Sequence, residues 1–346
     1  MLPGLSRLIA AMPELSEQTN EEMILGFLAD GGEEYTSGEA LSGKLGLSRA
    51  AVWKHVESLR GKGYRIEAVP ARGYRLLEVP DRLTSLELSP LLSTNELGRV
   101  VHAFETAPST NEIAFQMATD GAAHGEVVIA EQQTRGKGRR GRSWASPPRV
   151  NLYFSAILRP ELPPQRAPEL TLTAAVALAE TLRDSRVDAF IKWPNDVQVG
   201  GRKIAGILTE LSADTDQVHF VVLGVGVNLN CKVEDLGPEI APQATSVLEV
   251  RGGEKVPRAL FTAALFGRLE QRLDQHAREG FAPIQKAWRQ LSSTLGQEVL
   301  VRTDRAEVRG VAEDIDELGA LLLRTGDGAL ERVLAGDVEL LRGKAR

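Results

Sequence analysis

The sequence has little of several features that would place it at once in a broad class. Only one of its 346 residues, Cys231, is a cysteine, which excludes an internal disulfide and is typical of a reducing compartment. No apolar run approaches the roughly 18 residues that a membrane span needs. The net charge of −6 excludes a surface that is basic overall, so any nucleic-acid contact must come from a local patch. We therefore expect a soluble, cytoplasmic protein.

Histidine is also scarce, and the five histidines are scattered along the chain. No Ser-His-Asp arrangement of the kind used in nucleophilic catalysis is evident among them. The first twenty residues hold a short apolar stretch with too little basic charge for a convincing signal peptide. We expect residues 1–20 to be a loose extension, or the product of an upstream start codon.

What the sequence does have is a glycine-rich cationic segment at residues 134–144. Its charges are too costly to bury unpaired, and each glycine costs about 1 kcal/mol in a helix interior. We interpret it as a loop whose glycines let the backbone approach an anion while side chains supply positive charge, namely Lys137, Arg139, Arg140 and Arg142. A merely solvated loop is the alternative. A dinucleotide-binding turn is disfavoured, because Trp144 and two prolines follow where a helix should open.

A second cationic feature is the Lys-Trp-Pro-Asn-Asp segment at residues 192–196, which follows an apolar strand. A lysine at a strand end beside a tight turn projects a point charge into a cleft. Together with the cationic loop, it indicates a substrate that develops negative charge, such as a phosphate.

The chain divides into three blocks. Helical periodicity followed by a hairpin with turn residues at its tip predicts a winged helix-turn-helix domain over residues 21–80. Alternating strands and helices predict a mixed α/β domain over residues 85–292, after a polar linker region near residues 80–90. Short strands between Asp and Gly turns predict a small β-barrel over residues 295–346. The fold class is therefore α+β.

Five motifs resemble those of bacterial biotin protein ligases, specifically the bifunctional kind that is also the biotin operon repressor. They are Ser-Thr-Asn at 109–111, the loop at 136–142, Lys-Trp-Pro-Asn-Asp at 192–196, Gly-Ile-Leu-Thr-Glu at 206–210 and Gly-Val-Gly-Val-Asn at 224–228. The resemblance runs from about residue 22 to the C-terminus. It implies a catalytic domain of the class II synthetase-like type and an SH3-like C-terminal barrel.

The resemblance also implies a two-step reaction. Biotin and ATP, with Mg²⁺ carried by ATP and no metal site of the protein's own, give biotinoyl-5′-AMP and pyrophosphate. A lysine of the biotin carboxyl carrier protein of acetyl-CoA carboxylase then attacks the mixed anhydride. Fixed cations and backbone amides stabilise the developing charge without a protein nucleophile. Biotinoyl-5′-AMP is also the implied corepressor, which promotes a homodimer that binds operator DNA.

Site residues follow from the same resemblance, position by position. The catalytic residues are Lys192, Arg139 and Arg142. The biotin-binding residues are Ser109, Thr110, Asn111, Gln133, Gly136, Lys137, Arg139, Lys192, Gly206, Gly224 and Gly226. The residues that contact ATP or the adenylate are Arg139, Arg142, Trp144, Asn195 and Asn228. Two departures bear on ligand geometry: Lys137 stands where many relatives have arginine, and Pro108 where aspartate is common.

The N-terminal block carries the charge that DNA binding needs. Eight basic and two acidic residues between positions 44 and 75 give a local excess of about +6. The predicted DNA-binding residues, at the start of the recognition helix and the hairpin tip, are Ser48, Arg49, Trp53, Lys54 and Arg72. A domain used only for ligase regulation or dimerisation is the alternative, because helix-turn-helix units also contact proteins.

Two alternatives from other classes remain. One is a transcription factor with a degenerate sensor domain, against which the intact Lys192 and arginine loop argue. The other is a lipoyl-type ligase or sensor, which shares the fold but differs in its loop chemistry. A ligase without operator binding is a third reading of the same motifs.

Overall fold

The computed structural model describes residues 19–303 and 306–341. The predicted N-terminal extension lies, up to residue 18, outside these residues. The described chain begins with three helices, α1 (Asn20–Asp30), α2 (Gly38–Leu45) and α3 (Arg49–Gly61). A hairpin of β1 (Arg65–Val69) and β2 (Gly73–Glu78) follows, and completes the predicted winged helix-turn-helix.

Each of the three helices begins at a residue that caps it. Thr19 and Glu22 form a capping box on α1. The Ser37 hydroxyl accepts a hydrogen bond from the Ala40 amide at the start of α2. The Ser48 hydroxyl accepts one from the Ala51 amide at the start of α3. Gly46 ends α2 with a φ of 66°, a left-handed conformation that a glycine adopts without strain. The apolar faces of these helices meet in a small core of their own.

The predicted linker region near residues 80–90 is packed rather than extended. A short helix, α4 (Ser85–Leu88), lies within it, and Leu83 and Leu88 are buried. The Tyr64 hydroxyl of the first block donates to the Glu87 carboxylate over 2.5 Å. This contact joins the winged helix-turn-helix to the rest of the chain. The exact domain boundaries stay predictions.

A seven-stranded sheet forms the centre of the protein. Its strands are β3 (Val101–Phe104), β4 (Val127–Ala130), β5 (Leu152–Leu158), β6 (Phe190–Lys192), β7 (Asp196–Val199), β8 (Arg202–Ala213) and β9 (Val218–Val227). Their order is β3-β4-β5-β9-β8-β7-β6, with β3 and β4 parallel and the other neighbours antiparallel.

Helices cover both faces of this sheet, as the alternation of buried side chains requires. On one face Val128 and Ala130 pack against α5 (Thr110–Thr119). On the other, Val127 and Ile129 belong to the main core, which includes α6 (Ala167–Asp184) and α8 (Arg258–Glu279). Two further helices are α7 (Val247–Val250) and α9 (Ala282–Leu291). None of the helices in the described part of the chain is long and apolar enough to cross a membrane.

The C-terminal domain is a five-stranded antiparallel sheet. Its strands are β10 (Glu298–Arg302), β11 (Glu307–Ile315), β12 (Leu321–Thr325), β13 (Leu330–Val333) and β14 (Asp337–Leu340), in the order β13-β12-β11-β10-β14. The buried indole of Trp193 donates to the Gly319 carbonyl over 3.0 Å, and so fixes this domain against the end of β6. The first residue of β14, Asp337, thereby lies beside the central seven-stranded sheet.

Candidate active site

A cleft opens where β6, β8, β9, the start of α5 and the cationic loop meet the start of β14. Almost all the residues predicted to bind biotin or the adenylate line this one cleft: Ser109, Thr110, Asn111, Gln133, Lys137, Arg139, Arg142, Trp144, Lys192, Asn195, Gly206, Gly224 and Gly226. Segments far apart in sequence are thus brought to one place. The grouping supports a shared role for them, and each individual role stays a prediction.

A hydrogen-bond network organises one end of the cleft. The Gln133 side-chain oxygen accepts from the Thr110 amide over 2.9 Å, and the Gln133 amide group donates to Ser146 over 3.1 Å. The Asn111 amide group donates to Glu210 over 2.8 Å and to the Leu208 carbonyl over 3.2 Å. The polar side chains at this end are therefore held in fixed orientations before any ligand arrives.

Glycines make room for large side chains in this cleft. A Cβ added to Gly224 would lie 1.9 Å from the Asn111 side-chain oxygen, and one added to Gly226 would lie 2.6 Å from the Trp144 ring. An added Cβ at Gly206 would lie 3.1 Å from both the Lys203 side chain and that ring. The space at Gly224 and Gly226 is thus occupied by the side chains of Asn111 and Trp144.

Lys192 stands at the end of β6 with its side chain half-buried in the cleft. Burial lowers the pKa of its ammonium group, and the nearby Asp196 carboxylate opposes this effect. Asp196 itself is ion-paired with Lys203 over 2.6 Å. Within residues 19–303 and 306–341, the Lys192 ammonium has no hydrogen-bond or ion-pair partner of its own. The ammonium is therefore available to pair with an anionic ligand, which is the role predicted for it.

The cationic loop is anchored to the C-terminal domain. Arg139 donates to the Asn195 side chain over 3.1 Å and to the Gly336 carbonyl over 3.3 Å, and burial lowers the pKa of its guanidinium. Arg142 forms an ion pair with Asp337, and Arg140 lies 3.3 Å from the same carboxylate. Lys137 instead pairs with Glu112 of α5 over 3.0 Å. The cationic loop therefore has defined anchors.

Two predicted site residues do not line the cleft. Asn228 is buried, and its amide group donates to the Thr245 carbonyl over 3.1 Å. Gly136 is also buried, where an added Cβ would lie 2.5 Å from the Trp144 carbonyl oxygen. Gly136 thus permits close backbone packing beneath the loop, and Asn228 holds a neighbouring segment. Their contacts with a ligand stay predictions.

The sequence reasoning missed three residues of this region. Asp337 lines the cleft from the C-terminal domain, Lys203 from β8, and Ser155 lies buried beneath Thr110. Ser155 could have been noticed as a serine within the otherwise apolar and aromatic run Leu152–Leu158, which is typical of a fully buried strand. Nothing local to Asp337 marks it, because its position depends on how two domains pack.

The predicted DNA-binding residues form a separate surface. Trp53 is 54% exposed on α3, and Lys54 beside it is exposed. Arg49 and Arg72 border a shallow groove between α2, α3 and the hairpin, and the Arg72 guanidinium lies 4.2 Å from the centre of the Tyr35 ring. Ser48 caps α3 with its hydroxyl. Exposed basic side chains grouped on one surface are what contact with nucleic-acid phosphates requires, and DNA binding by these residues stays a prediction.

Comparison with known proteins identifies the same three parts. The family described as the Biotin/lipoate A/B protein ligase family matches residues 103–228. The Biotin protein ligase C terminal domain matches residues 294–341, and an HTH domain matches residues 21–75.

Whole-chain relatives agree with these matches. The Bifunctional ligase/repressor BirA of Bacillus subtilis (strain 168) is 37% identical over 318 residues, which cover 92% of this chain and 97% of that protein. The protein of the same name from Escherichia coli (strain K12) is 34% identical over 328 residues, 94% of this chain and 98% of its own. The biotin protein ligase of Aquifex aeolicus, solved in complex with biotin and ATP, superposes with a TM-score of 0.62 at 26% identity, covering 71% of this chain and 100% of that one.

The fold and the cleft define a ligase of the biotin/lipoate class that carries a helix-turn-helix domain. The chain belongs to the family of bifunctional biotin protein ligases and repressors.

Proposed function

We propose that this protein is an ATP-dependent biotin protein ligase that makes biotinoyl-5′-AMP and transfers biotin to a lysine of a biotin carboxyl carrier protein. One observation carries the proposal: Lys192 stands half-buried and without an ion-pair partner in the described chain, in the cleft that also holds Arg139 and Arg142. A desolvated cation is a strong stabiliser of charge that develops on a phosphoryl or acyl oxygen.

The positions of these side chains in the cleft support the following arrangement of the ligands and order of the reaction. The polar end at Thr110 and Gln133 takes the ring system of biotin, and the valerate chain runs along Trp144 towards Lys192. Lys192 and Arg139 hold the carboxylate against the α-phosphate of ATP, so the reacting atoms meet by positioning alone. Pyrophosphate then leaves, and the acyl carbon of the anhydride faces the opening through which the carrier lysine arrives.

In this scheme Mg²⁺ binds together with ATP. Asp196 and Asp337 are the carboxylates that line the cleft, and each already pairs with a cation. No group of three or more potential ligand residues lies close enough to hold a metal anywhere in the described ranges. We propose that Mg²⁺ enters with ATP and neutralises the charge of its phosphates.

Biotin-dependent exchange of labelled pyrophosphate into ATP tests the first half-reaction. We expect exchange with biotin and none with lipoate, and a loss of about 10²- to 10³-fold in Lys192→Ala, the usual cost of removing one charge stabiliser. Lys286→Ala, which removes an exposed lysine of α9, is the matched control. If exchange is faster with lipoate than with biotin, the protein is a ligase of the lipoyl class.

We also propose a second function, biotin-responsive repression in the cytoplasm. The exposed Trp53 and the local basic excess on the helix-turn-helix support it. Strand β3 lies at one end of the central sheet, and we propose that a ligand-promoted homodimer, which a two-fold operator requires, forms along this edge. Selection from a random DNA pool with biotin and ATP present should enrich a palindrome. If the protein is active as a ligase but enriches no DNA sequence, it is a ligase without operator binding.

A further inference from the structure

A tyrosine and two arginines form a cluster beside the hairpin of the helix-turn-helix domain, far from the ligase reaction in sequence and in role. The Arg72 guanidinium lies 4.2 Å from the centre of the Tyr35 ring, and the Arg75 guanidinium lies 4.8 Å from it. The Tyr35 hydroxyl donates to the Glu67 carboxylate over 2.6 Å, and Arg75 donates to the same carboxylate over 2.7 Å. Glu67 thus holds the tyrosine in contact with both arginines.

A short stretch of backbone pairing places Tyr35 beside the hairpin. Thr36 and Tyr74 exchange two backbone hydrogen bonds, of 2.8 and 2.9 Å, so the segment before α2 runs antiparallel to the start of β2. Gly73 makes this close approach possible, because it has a φ of 114° and an added Cβ would lie 2.2 Å from the Thr36 carbonyl oxygen. The backbone that carries Arg72 is therefore fixed against the segment that carries Tyr35.

The two arginines differ in how much of their hydrogen-bonding capacity the protein already uses. Arg75 is half-buried and ion-paired with Glu67. Arg72 is exposed, and its side chain has no hydrogen bond or ion pair in the part of the chain that the structure describes. A guanidinium over an aromatic ring is attracted by the electrons of the ring and needs none of its N–H donors for this contact. Of the two, Arg72 is therefore the one whose donors are available to a phosphate.

We infer that Tyr35 is a positioning residue for DNA binding, whose ring fixes the Arg72 side chain at the hairpin so that its N–H groups meet the phosphate backbone. The inference rests on the proposed repressor function and adds a residue to it. Without the ring, Arg72 would lose its side-chain freedom only on binding, and the Glu67 carboxylate, released by the tyrosine hydroxyl, would compete for it. An arginine held in advance binds DNA more tightly through the same contact.

A double-mutant cycle between Tyr35 and Arg72 tests this role. Binding of the full chain to a fluorescent DNA duplex of mixed sequence is measured by anisotropy at low salt, where contacts with phosphate dominate. We expect Tyr35→Leu to weaken binding by the wild-type protein about two- to fivefold, the usual effect of losing an exposed cation–π contact. In the Arg72→Ala background the same substitution should have no effect, because the side chain that the ring positions is gone.

Two controls separate positioning from a general loss of structure. Arg65→Ala removes an exposed arginine of the same hairpin, which is ion-paired with Glu78 over 2.9 Å. In this background Tyr35→Leu should weaken binding as much as it does in the wild type. Tyr35→Phe keeps the ring and loses only the hydrogen bond to Glu67, so it should retain most of the affinity. Thermal melting shows that each variant is folded before titration.

If Tyr35→Leu unfolds the domain, Arg72→Lys takes its place. The charge remains but the planar group that packs on the ring is lost, so affinity should fall about two- to fivefold while its dependence on salt stays the same.

The outcomes are distinct. If Tyr35→Leu weakens binding equally in the wild-type and Arg72→Ala backgrounds, the tyrosine is merely structural and the inference is wrong. Binding by Arg72→Lys that equals that of the wild type would also overturn it. If the wild-type protein is active as a ligase but binds no DNA at low salt, the proposed repression fails, and this inference fails with it.

Discussion

Trp144 packs against the bare backbone of Gly226, where even one added carbon would lie 2.6 Å from the indole ring. The loop that carries Trp144 can close over the cleft only because β9 has no side chain at that position. The Lys203 ammonium lies 5.3 Å from the centre of the ring and completes the contact. One glycine thus sets the position of the wall along which we propose that biotin lies.

Gly226→Ala should therefore weaken biotin binding without unfolding the protein. The added methyl group displaces Trp144, which stands on a loop and can shift, so we expect KM for biotin to rise about tenfold and the melting temperature to change little. Steady-state kinetics and thermal melting measure both. Gly61→Ala is the control, because an added Cβ there meets nothing within 4 Å. An unchanged KM would contradict the role given to Trp144.

The pH dependence of the first half-reaction should report Lys192. Burial lowers the pKa of this ammonium, so it loses its proton at a lower pH than an exposed lysine does. Because the charged form stabilises the phosphate, pyrophosphate exchange should fall on the alkaline side as pH rises through that lowered pKa. In Lys192→Arg, any residual exchange should extend to higher pH, since arginine keeps its charge. If the exchange rate of both proteins falls at the same alkaline pH, Lys192 is not the group whose loss of a proton causes the fall.

The contact of Arg142 and Arg140 with Asp337 should protect the cationic loop from proteolysis. Asp337→Asn removes the charge that anchors both arginines. These groups are partly exposed, and pairs of this kind contribute about 0–1 kcal/mol, so we expect tryptic cleavage within residues 135–142 to become about two- to fivefold faster. Mass spectrometry of timed digests measures the rate. Asp327→Asn, in an exposed turn of the same domain, should leave it unchanged.

Cys231 should be inert in the folded protein. It is fully buried, and burial raises the pKa of its thiol to about 11, so almost no thiolate is present at pH 8. Iodoacetamide should label it only after denaturation in guanidinium chloride. Rapid labelling of the native protein would show that the segment around Cys231 opens readily.

Strands and helices with a long apolar pattern could be predicted from the sequence. The apolar run at Val218–Val227 predicts a strand, and β9 occupies those residues. The apolar pattern at Glu169–Arg183 predicts a helix, and α6 extends it by a few residues to Ala167–Asp184. Helix α9 was missed, although Ile284, Trp288 and Leu291 recur at helical spacing and a proline stands in its first turn, both of which are signals of a helix. The helix within the predicted linker was missed because its four residues carry no period of their own.

The residues of the site also fall into those that the sequence could predict and those that it could not. Motif residues such as Lys192 and Arg139 could be named in advance, since charge beside glycine or at a strand end has a local signature. Asp337 could not, because its contact with Arg142 depends on the packing of the C-terminal domain against β6. The role of Gly224 also depends on tertiary structure, because the side chain it accommodates, Asn111, comes from another element.

Transfer of labelled biotin to a carrier-protein domain, in the presence of ATP and magnesium, tests the central claim most directly. The full chain should label the carrier on its acceptor lysine, labelling should require ATP, and Lys192→Ala should reduce it about 10²- to 10³-fold while Lys286→Ala does not. Absence of labelling by a folded, wild-type protein, or full labelling by Lys192→Ala, would contradict the account.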